Sequence, residues 1–446
     1  MNMKTFNIGG VHPNDSKLNA DAPMQELPIP KQVCVMVSQH LGAPSQPIVK
    51  KGDKVKVGTV LTSNDAFLSA VVHSPVSGIV NKIADVIDAS LYPKPAIFID
   101  VEGDEWEENI DRSPEIKREI NLEGPEIIQK IKEMGIVGMG GACFPTHVKL
   151  MPPKDAKAEY LLLNGVECEP YLTCDYRLML DHAEEIMIGA QILMKALNVS
   201  RAIVGIEANK PKAIAHMSEM AKKFPGISVQ ALKMKYPQGA EKQLIKALTG
   251  RAVPSGKLPI NVGCVVDNVA TCYAVYQAVQ KNMPLVQRIV TVTGPSVPQP
   301  TNFLARLGTP VSAFLEAIGG VPEDTGKVIS GGPMMGKALA NTEVSSVKGM
   351  SGILVLPEKQ AHRNTVYPCI RCGKCVEACP MGLEPYLIAS TSLAKAFDLT
   401  EKARVMDCIE CGCCHFTCPS NRPLLDAIKL GKSTVGKIIR ARNAKN

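Results

Sequence analysis

The chain has 446 residues and a mass of 47.9 kDa, too long for one ordinary core and suited to roughly two to four domains. Hydrophobic residues make up 45%, charged residues 21% and aromatics 4%, which fits aliphatic globular cores and excludes both a disordered chain and a stacking platform for bases. The formal charge of +7 comes from interspersed signs, so no nucleic-acid partner is expected.

The opening residues include Asn14, Asp15, Lys17 and Asp21, and no apolar run approaches the length of a membrane span; neither a secretory leader nor a transmembrane segment is expected. Residues 1–110 read as a β-rich domain, because VCVMV, DKVKVGTVL, GIVNKI and AIFIDV are short β-branched runs separated by Gly, Pro and Asp. KKGDKVKVGTVL followed by VVHSPVSGIV resembles a lipoyl- or biotinyl-like barrel-sandwich, but no Lys occupies the turn around Ser74, Pro75 and Val76, so a covalent carrier is not expected. The polar stretch 102–123 reads as a linker.

Residues 120–287 change to an α/β pattern. EIIQKIKEMG predicts a helix ending at Gly135, AEYLLLNGV a strand, HAEEIMIGAQILMKALNV a helix, RAIVGIEA a strand, and AEKQLIKALTG an amphipathic helix with a Gly stop. Residues 288–355, with RIVTVTG, PVSAFLEAIGG and KVISGGPMMG, read as a compact β-plus-helix module. A Cys-rich domain spans 362–430, with a helix predicted over 385–397, and a basic tail follows over 431–446. Lys429, Lys432, Lys437, Arg440, Arg442 and Lys445 come after the last Cys motif, with no acid beyond Asp426. A solvated tail and a contact with anionic lipid or an acidic partner are both open for it. The fold class is therefore multidomain α/β and α+β.

Nine of the fifteen Cys lie between Cys369 and Cys418, which points to ligands gathered by a local fold. CIRCGKCVEACP and CIECGCCHFTCP repeat the two-cluster ferredoxin spacing, in which three close thiolates meet one cubane and the fourth serves its neighbour. Cys369, Cys372, Cys375 and Cys418 are assigned to one [4Fe-4S] cluster, and Cys408, Cys411, Cys414 and Cys379 to the other. Zinc is the weaker alternative, because the duplicated spacing is specific to clusters. Cys413 falls outside both sets and reads as a buried thiol beside the ligands. Two adjacent cubanes with complete thiolate ligation favour one-electron transfer over substrate chemistry, and the unpaired thiols agree with a reducing compartment.

The second unusual segment is GIVGMGGACFPTHVKL, residues 135–150. Gly138, Gly140 and Gly141 can let the backbone approach a ligand while local N–H groups meet a phosphate. A structural turn remains open, and the segment lacks the dinucleotide fingerprint.

GMGGACFPTHVKL, LLNGVECEP, YPQGAEKQLIKALTGR and VVDNVATC resemble the FMN- and NADH-binding subunit of respiratory complex I. With GGVHP, SQHLGAP, HSPVSGIV and the cluster pair, the whole chain resembles the RnfC family, the peripheral electron-input subunits of the Rnf complex. That resemblance implies an FMN around Gly138, Gly140, Gly141, Ala142, Phe144, Thr146 and Lys149, with Asn164, Glu167 and Glu169 nearby. Tyr236, Gly239, Glu241, Asn268 and Thr271 would supply later parts of the flavin and NAD(H) cleft. Cys143 stands where the respiratory subunit's pattern has Gly, Lys149 is expected to meet a phosphate, and His147 reads as structural. No catalytic Ser, Cys or His is required, since the flavin supplies the redox chemistry. The resemblance further implies a reversible path between NADH and ferredoxin, coupled to Na⁺ or H⁺ translocation. Its partners would be integral-membrane and peripheral Rnf subunits at the cytoplasmic face, with ferredoxin reached through them. Residues 288–355 resemble that family's β-grasp module. A microcompartment cobalamin reductase and a non-enzymatic iron–sulfur scaffold are the alternatives.

Overall fold

The computed structural model describes residues 3–444. Gln32–Met36, Pro93–Val101, Gly78–Ile87 and Lys54–Val55 form, in that spatial order, an antiparallel four-stranded sheet. Gln46–Pro47 and Thr62–Ser63 make a separate pair. Alternation sends Val33 and Val35 into one core with Leu61, Val72, Val80, Ile97 and Ile99. The tight turn at Ser74 is buried, with the Ser74 hydroxyl donating to the Val76 carbonyl at 2.6 Å.

The residues before this sheet serve other units. Lys4 bridges Leu232, Val11 bridges Tyr236, and Met24–Glu26 runs parallel to Thr301–Arg306. They form a strap across the rest of the molecule. The polar stretch after the sheet is pinned down: Lys281 Nζ reaches Asp111 at 3.1 Å, and Gln280 donates to the carbonyls of Lys117 and Glu119.

The α/β unit is built on a parallel sheet ordered Ile227–Leu232, Ala202–Glu207, Tyr160–Gly165, Cys264–Asn268. Both faces are covered, so its strands are apolar on both sides. Leu161 and Leu163 share a core with helices Gly124–Glu133, Ala183–Leu197 and Val269–Gln280, while Leu162 packs with Leu244 and Leu248 of Glu241–Thr249. Left-handed Asn198 and Gly250 end two of these helices.

The third unit is a mixed sheet ordered Met24–Glu26, Thr301–Arg306, Gln287–Thr293, Gly352–Pro357, Thr325–Ser330, Lys337–Ala338. Helix Val311–Ala317 places Phe314 and Leu315 in a core with Val290, Val292, Ile353 and Val355.

In the Cys-rich unit the helix expected over 385–397 is two helices, Pro385–Leu393 and Phe397–Lys402. Ser390, Thr391 and Ser392 turn their hydroxyls back onto carbonyls four residues earlier, which weakens the helix end, and Lys395 is left-handed. Residues 431–443 are not a free tail. They complete helix Leu424–Asn443, where Val435 is fully buried and Gly431 lies against Ser392. Two of the basic groups are paired, Lys432 with Glu410 and Arg442 with Glu401; Lys445 lies outside the described residues. Among the described residues no helix is long and apolar enough to cross a membrane.

Candidate functional site

The parallel sheet reverses its winding at Tyr160–Gly165: the next two strands add on one side and Cys264–Asn268 on the other. Such a reversal leaves a crevice beyond the carboxyl ends of the two diverging strands. Asn164 and Asn268 stand at those ends. Asn268 Nδ2 donates to the Asn164 carbonyl at 3.2 Å and to Asp175 Oδ2 at 2.7 Å, while its Oδ1 accepts from Ala270 N at 2.8 Å and caps helix Val269–Gln280.

The glycine-rich segment folds over this crevice. Val137 bridges Pro145, and Gly138 N donates to the Phe144 carbonyl at 2.8 Å, closing the loop that carries Gly140, Gly141 and Ala142 into solvent. Thr271 is fully buried and takes the Met139 N–H at 3.1 Å, so it anchors the loop from behind. A Cβ on Gly140 would stand 2.9 Å from Asn268 Nδ2, whereas one on Gly141 would meet nothing within 4 Å. This is a cradle whose floor is Asn268 and whose rim is bare backbone, a shape that fits a flat, phosphate-bearing group. Cys143 adopts φ 54°, the conformation its glycine counterpart would favour. Its thiol has room because residue 349 is glycine, where a Cβ would collide with the sulfur.

Thr146 and His147 lie beneath the loop and are buried. His147 Nε2 faces the Phe67 carbonyl at 3.3 Å, joining the loop to the N-terminal unit, and burial lowers its pKa. Lys149 donates to the Val266 carbonyl at 2.6 Å and lies 3.4 Å from Asp267 Oδ1, so its charge is already matched. Glu241, at the start of its helix, is raised by burial and steadied by Lys149.

The opposite wall is the turn 166–172. Glu167, with φ 48°, accepts from Asp175 N at 2.7 Å and Tyr176 N at 3.3 Å and so caps helix Cys174–Asp181. Burial, then the Glu167 charge, push the Asp175 carboxyl up. Two lysines hold the turn by its carbonyls. Lys17 of the strap reaches those of Glu167, Glu169 and Leu172 at 2.9, 3.0 and 2.6 Å, and buried Lys210 reaches that of Val166 at 2.7 Å. Asn164 Nδ2 donates to the Gly239 carbonyl at 2.8 Å, and Gly239 N donates to Cys168 Sγ at 3.4 Å. Glu169 accepts from Met334 N at 3.1 Å and Met335 N at 2.8 Å, tying the turn to the β-plus-helix module; burial pushes its carboxyl up to about 7.

Tyr236 follows the strand Ile227–Leu232. It is buried, and its hydroxyl donates to the Cys411 carbonyl at 2.9 Å. Val11, Tyr236, Ala378, Cys411 and Cys413 form one apolar cluster, against which Cys168 and Met334 pack. Strap residue Gly9 lies so close to the peptide joining Cys379 and Pro380 that a Cβ there would collide with the Cys379 carbonyl, and Gly10 N donates to the Ala378 carbonyl at 2.9 Å. Gln243 donates to the Pro380 carbonyl at 3.1 Å.

Beyond Tyr236, Cys379, Cys408, Cys411, Cys413 and Cys414 line one cavity walled by Leu383, Ile388, Leu425 and Ile428. Converging sulfurs in an apolar wall suit an iron–sulfur group. Cys379, from the first motif, shares this cavity with the second motif's three close thiols. Cys375 and Cys418 pack against the same apolar core of the Cys-rich unit, and Cys369 and Cys372 are exposed.

Sequence reasoning missed Lys17, Lys210, Asp175 and Asp267. The two lysines act on backbone carbonyls from distant segments, which leaves no local pattern. Asp267 was legible only as the neighbour of Asn268 in VVDNVATC.

Comparison with known families matches residues 4–104 to the RnfC Barrel sandwich hybrid domain, 131–277 to the Nuo51 FMN-binding domain, 289–338 to the SLBB domain and 360–422 to the 4Fe-4S dicluster domain. The C component of the proton-translocating ferredoxin:NAD(+) oxidoreductase complex of Clostridium ljungdahlii is 48% identical over 412 residues, covering 90% of this chain and 87% of that one. Its Na(+)-translocating counterpart of Acetobacterium woodii is 42% identical over 441 residues, covering 98% of each chain. The C component of the ion-translocating oxidoreductase complex of Rhodobacter capsulatus is 39% identical, covering 98% of this chain and 84% of that one.

Proposed function

The chain belongs to the RnfC family, the C components of ion-translocating ferredoxin:NAD⁺ oxidoreductase complexes, and from that premise we propose how its residues divide the work of electron transfer. As a member it is an electron-transfer subunit with FMN and two [4Fe-4S] clusters, and its partners are the other subunits of the complex. When bound, FMN would supply the conversion between the two-electron chemistry of a nicotinamide hydride and clusters that carry one electron each.

The glycine loop 138–144 offers N–H groups and bare backbone to the flavin, and Asn268 orients the floor beneath it. Lys149, balanced by Asp267, holds the last strand against the loop. Asn164, Gly239 and Glu241 line the cleft, with Thr146 and Thr271 fixing the loop from below. Glu167 and Glu169 act through position: one caps a helix, the other fastens the turn to the β-plus-helix module. The interleaved ligand sets are Cys369, Cys372, Cys375 with Cys418, and Cys408, Cys411, Cys414 with Cys379. The chain sits at the cytoplasmic face of the membrane through its partners, where NADH is available.

The observation that supports this reading is the run of contacts from Asn164 and Gly239 through Cys168 and Tyr236 to Cys411. It joins the nucleotide cleft to the sulfur-lined cavity within one chain. Anaerobic purification with flavin, iron and sulfide quantification, followed by NADH titration, tests it. Bleaching of both flavin and cluster absorbance is expected; clusters without FMN would remove the flavoenzyme reading. Preferential reduction of cob(II)alamin, without association with the membrane subunits, would favour the cobalamin reductase instead.

A further inference from the structure

The floor of the glycine cradle is held in place by a half-buried carboxylate outside it. Asn268 Nδ2 donates to the Asn164 carbonyl at 3.2 Å and to Asp175 Oδ2 at 2.7 Å, and its Oδ1 accepts from Ala270 N at 2.8 Å. Both donors and one of the two lone pairs of the side-chain amide are thus taken. The bond to Asp175 is the shortest of the three and the only one to a carboxylate, and hydrogen bonds to ionised groups are the stronger ones. It holds the amide nitrogen, the atom that a Cβ on Gly140 would meet first, at 2.9 Å.

Asp175 is itself fixed: it lies in the first turn of helix Cys174–Asp181, and its N–H donates to Glu167 Oε1 at 2.7 Å. The competing role for its charge is balance for Arg288, since both line a cavity that Met139 of the glycine loop also lines. Arg288, however, spends Nε and Nη1 on the carbonyls of Ile289 and Lys348, whereas Asp175 spends a carboxylate oxygen on Asn268.

We propose that Asp175 is a positioning residue for flavin binding, whose carboxylate fixes the Asn268 amide and with it the floor on which FMN rests. This deepens the flavin reading above and rests on it. Without the carboxylate, the amide keeps only its two bonds to neutral backbone groups, and its nitrogen edge is free to swing towards Gly140. The cradle is then no longer formed before the flavin arrives, and ordering it costs binding free energy.

The test uses the full chain, with FMN affinity read by fluorescence titration and the surroundings of the bound flavin by visible circular dichroism. Asp175→Ala should bind FMN about tenfold more weakly. Asp175→Leu keeps the volume and should do the same, which covers a failure of the Ala variant to fold. Asp175→Asn keeps an oxygen for Asn268 without the charge, and should recover most of the affinity and the wild-type dichroism. Asn268→Ser keeps a helix cap and removes the amide, so adding Asp175→Ala or Asp175→Leu to it should weaken binding no further. Wild-type affinity in the Ala or Leu variant would overturn the proposal, as would a full second loss in the double variant. An Asn variant as weak as the Ala variant would also overturn it and assign Asp175 to charge balance for Arg288. A wild-type chain that takes up no FMN, or Asn268→Ser with wild-type affinity, would overturn the flavin reading at this cradle, and this inference with it.

Discussion

The Tyr236 hydroxyl donates a 2.9 Å hydrogen bond to the carbonyl oxygen of Cys411, from a strand-end loop of the α/β unit to the second Cys motif. Removing the donor leaves a buried carbonyl unpaired, a cost of about 1–3 kcal/mol, and loosens the contact that joins cleft to cavity. Tyr236→Phe should keep flavin and iron content and the wild-type rate of flavin reduction by NADH, while cluster reduction slows several-fold. Stopped-flow absorbance at flavin and cluster wavelengths separates the two phases; equal slowing of both would contradict this role.

Gly140 and Gly141 are adjacent but should respond differently. A Cβ at 140 collides with Asn268, whereas one at 141 meets no protein atom. Gly140→Ala should therefore destabilise the flavin-free protein and weaken flavin binding. Gly141→Ala should leave the melting temperature unchanged and still lower flavin affinity about tenfold or more, equivalent to about 1.4 kcal/mol. Fluorescence titration with FMN checks this, and wild-type affinity in Gly141→Ala would place the flavin elsewhere.

Lys17 holds three carbonyls of the turn 166–172. Hydrogen bonds from a charged donor contribute about 1.5–3 kcal/mol each, and their loss is concentrated in one turn. Lys17→Met should raise hydrogen exchange in residues 166–172 and reduce flavin affinity, with the cluster signals preserved. Unaltered exchange there would show that Lys210 suffices alone.

Glu169 makes the flavin-free protein pH-sensitive. Its folded pKa is raised from 4.5 to about 7, so the native state binds more protons than the unfolded state between those values. The resulting stabilisation is complete below about pH 4.5 and is lost as pH rises through about 7, at most about 3 kcal/mol. Glu169→Gln should flatten that slope and be relatively more stable at pH 8. Melting curves across pH 5–8 decide, and an unchanged slope would assign the effect to another group.

Cys379 and Cys418 test the exchange of ligands between motifs. Cys379 shares a cavity with the second motif's thiols, and Cys418 packs against the same core as Cys375. Cys379→Ser should perturb the cluster held by Cys408, Cys411 and Cys414, and Cys418→Ser the other one. Each variant should alter one EPR signal; the same signal altered in both would contradict the interleaving.

The order of units and the chemistry they carry were legible in the amino-acid sequence. Tyr160–Gly165 shows as a short apolar run and Ala183–Leu197 as a longer one because both are buried almost all round, and the repeated Cys spacing suggests two sets of ligands. The glycine loop was visible as a concentration of backbone freedom. The remainder came with the packing of distant segments. Only the sheet order places Asn164 beside Asn268, and only the fold brings Lys17 to the carbonyls of Glu167, Glu169 and Leu172. The hydrogen bond from Tyr236 to the Cys411 carbonyl left no mark in the sequence; residues 431–443 read as a basic tail, yet Val435 is core. Hydrogen bonds to backbone carbonyls need no particular partner residue, and charged helices can hide one apolar stripe. Such contacts leave little trace in sequence and are settled only when the chain closes on itself.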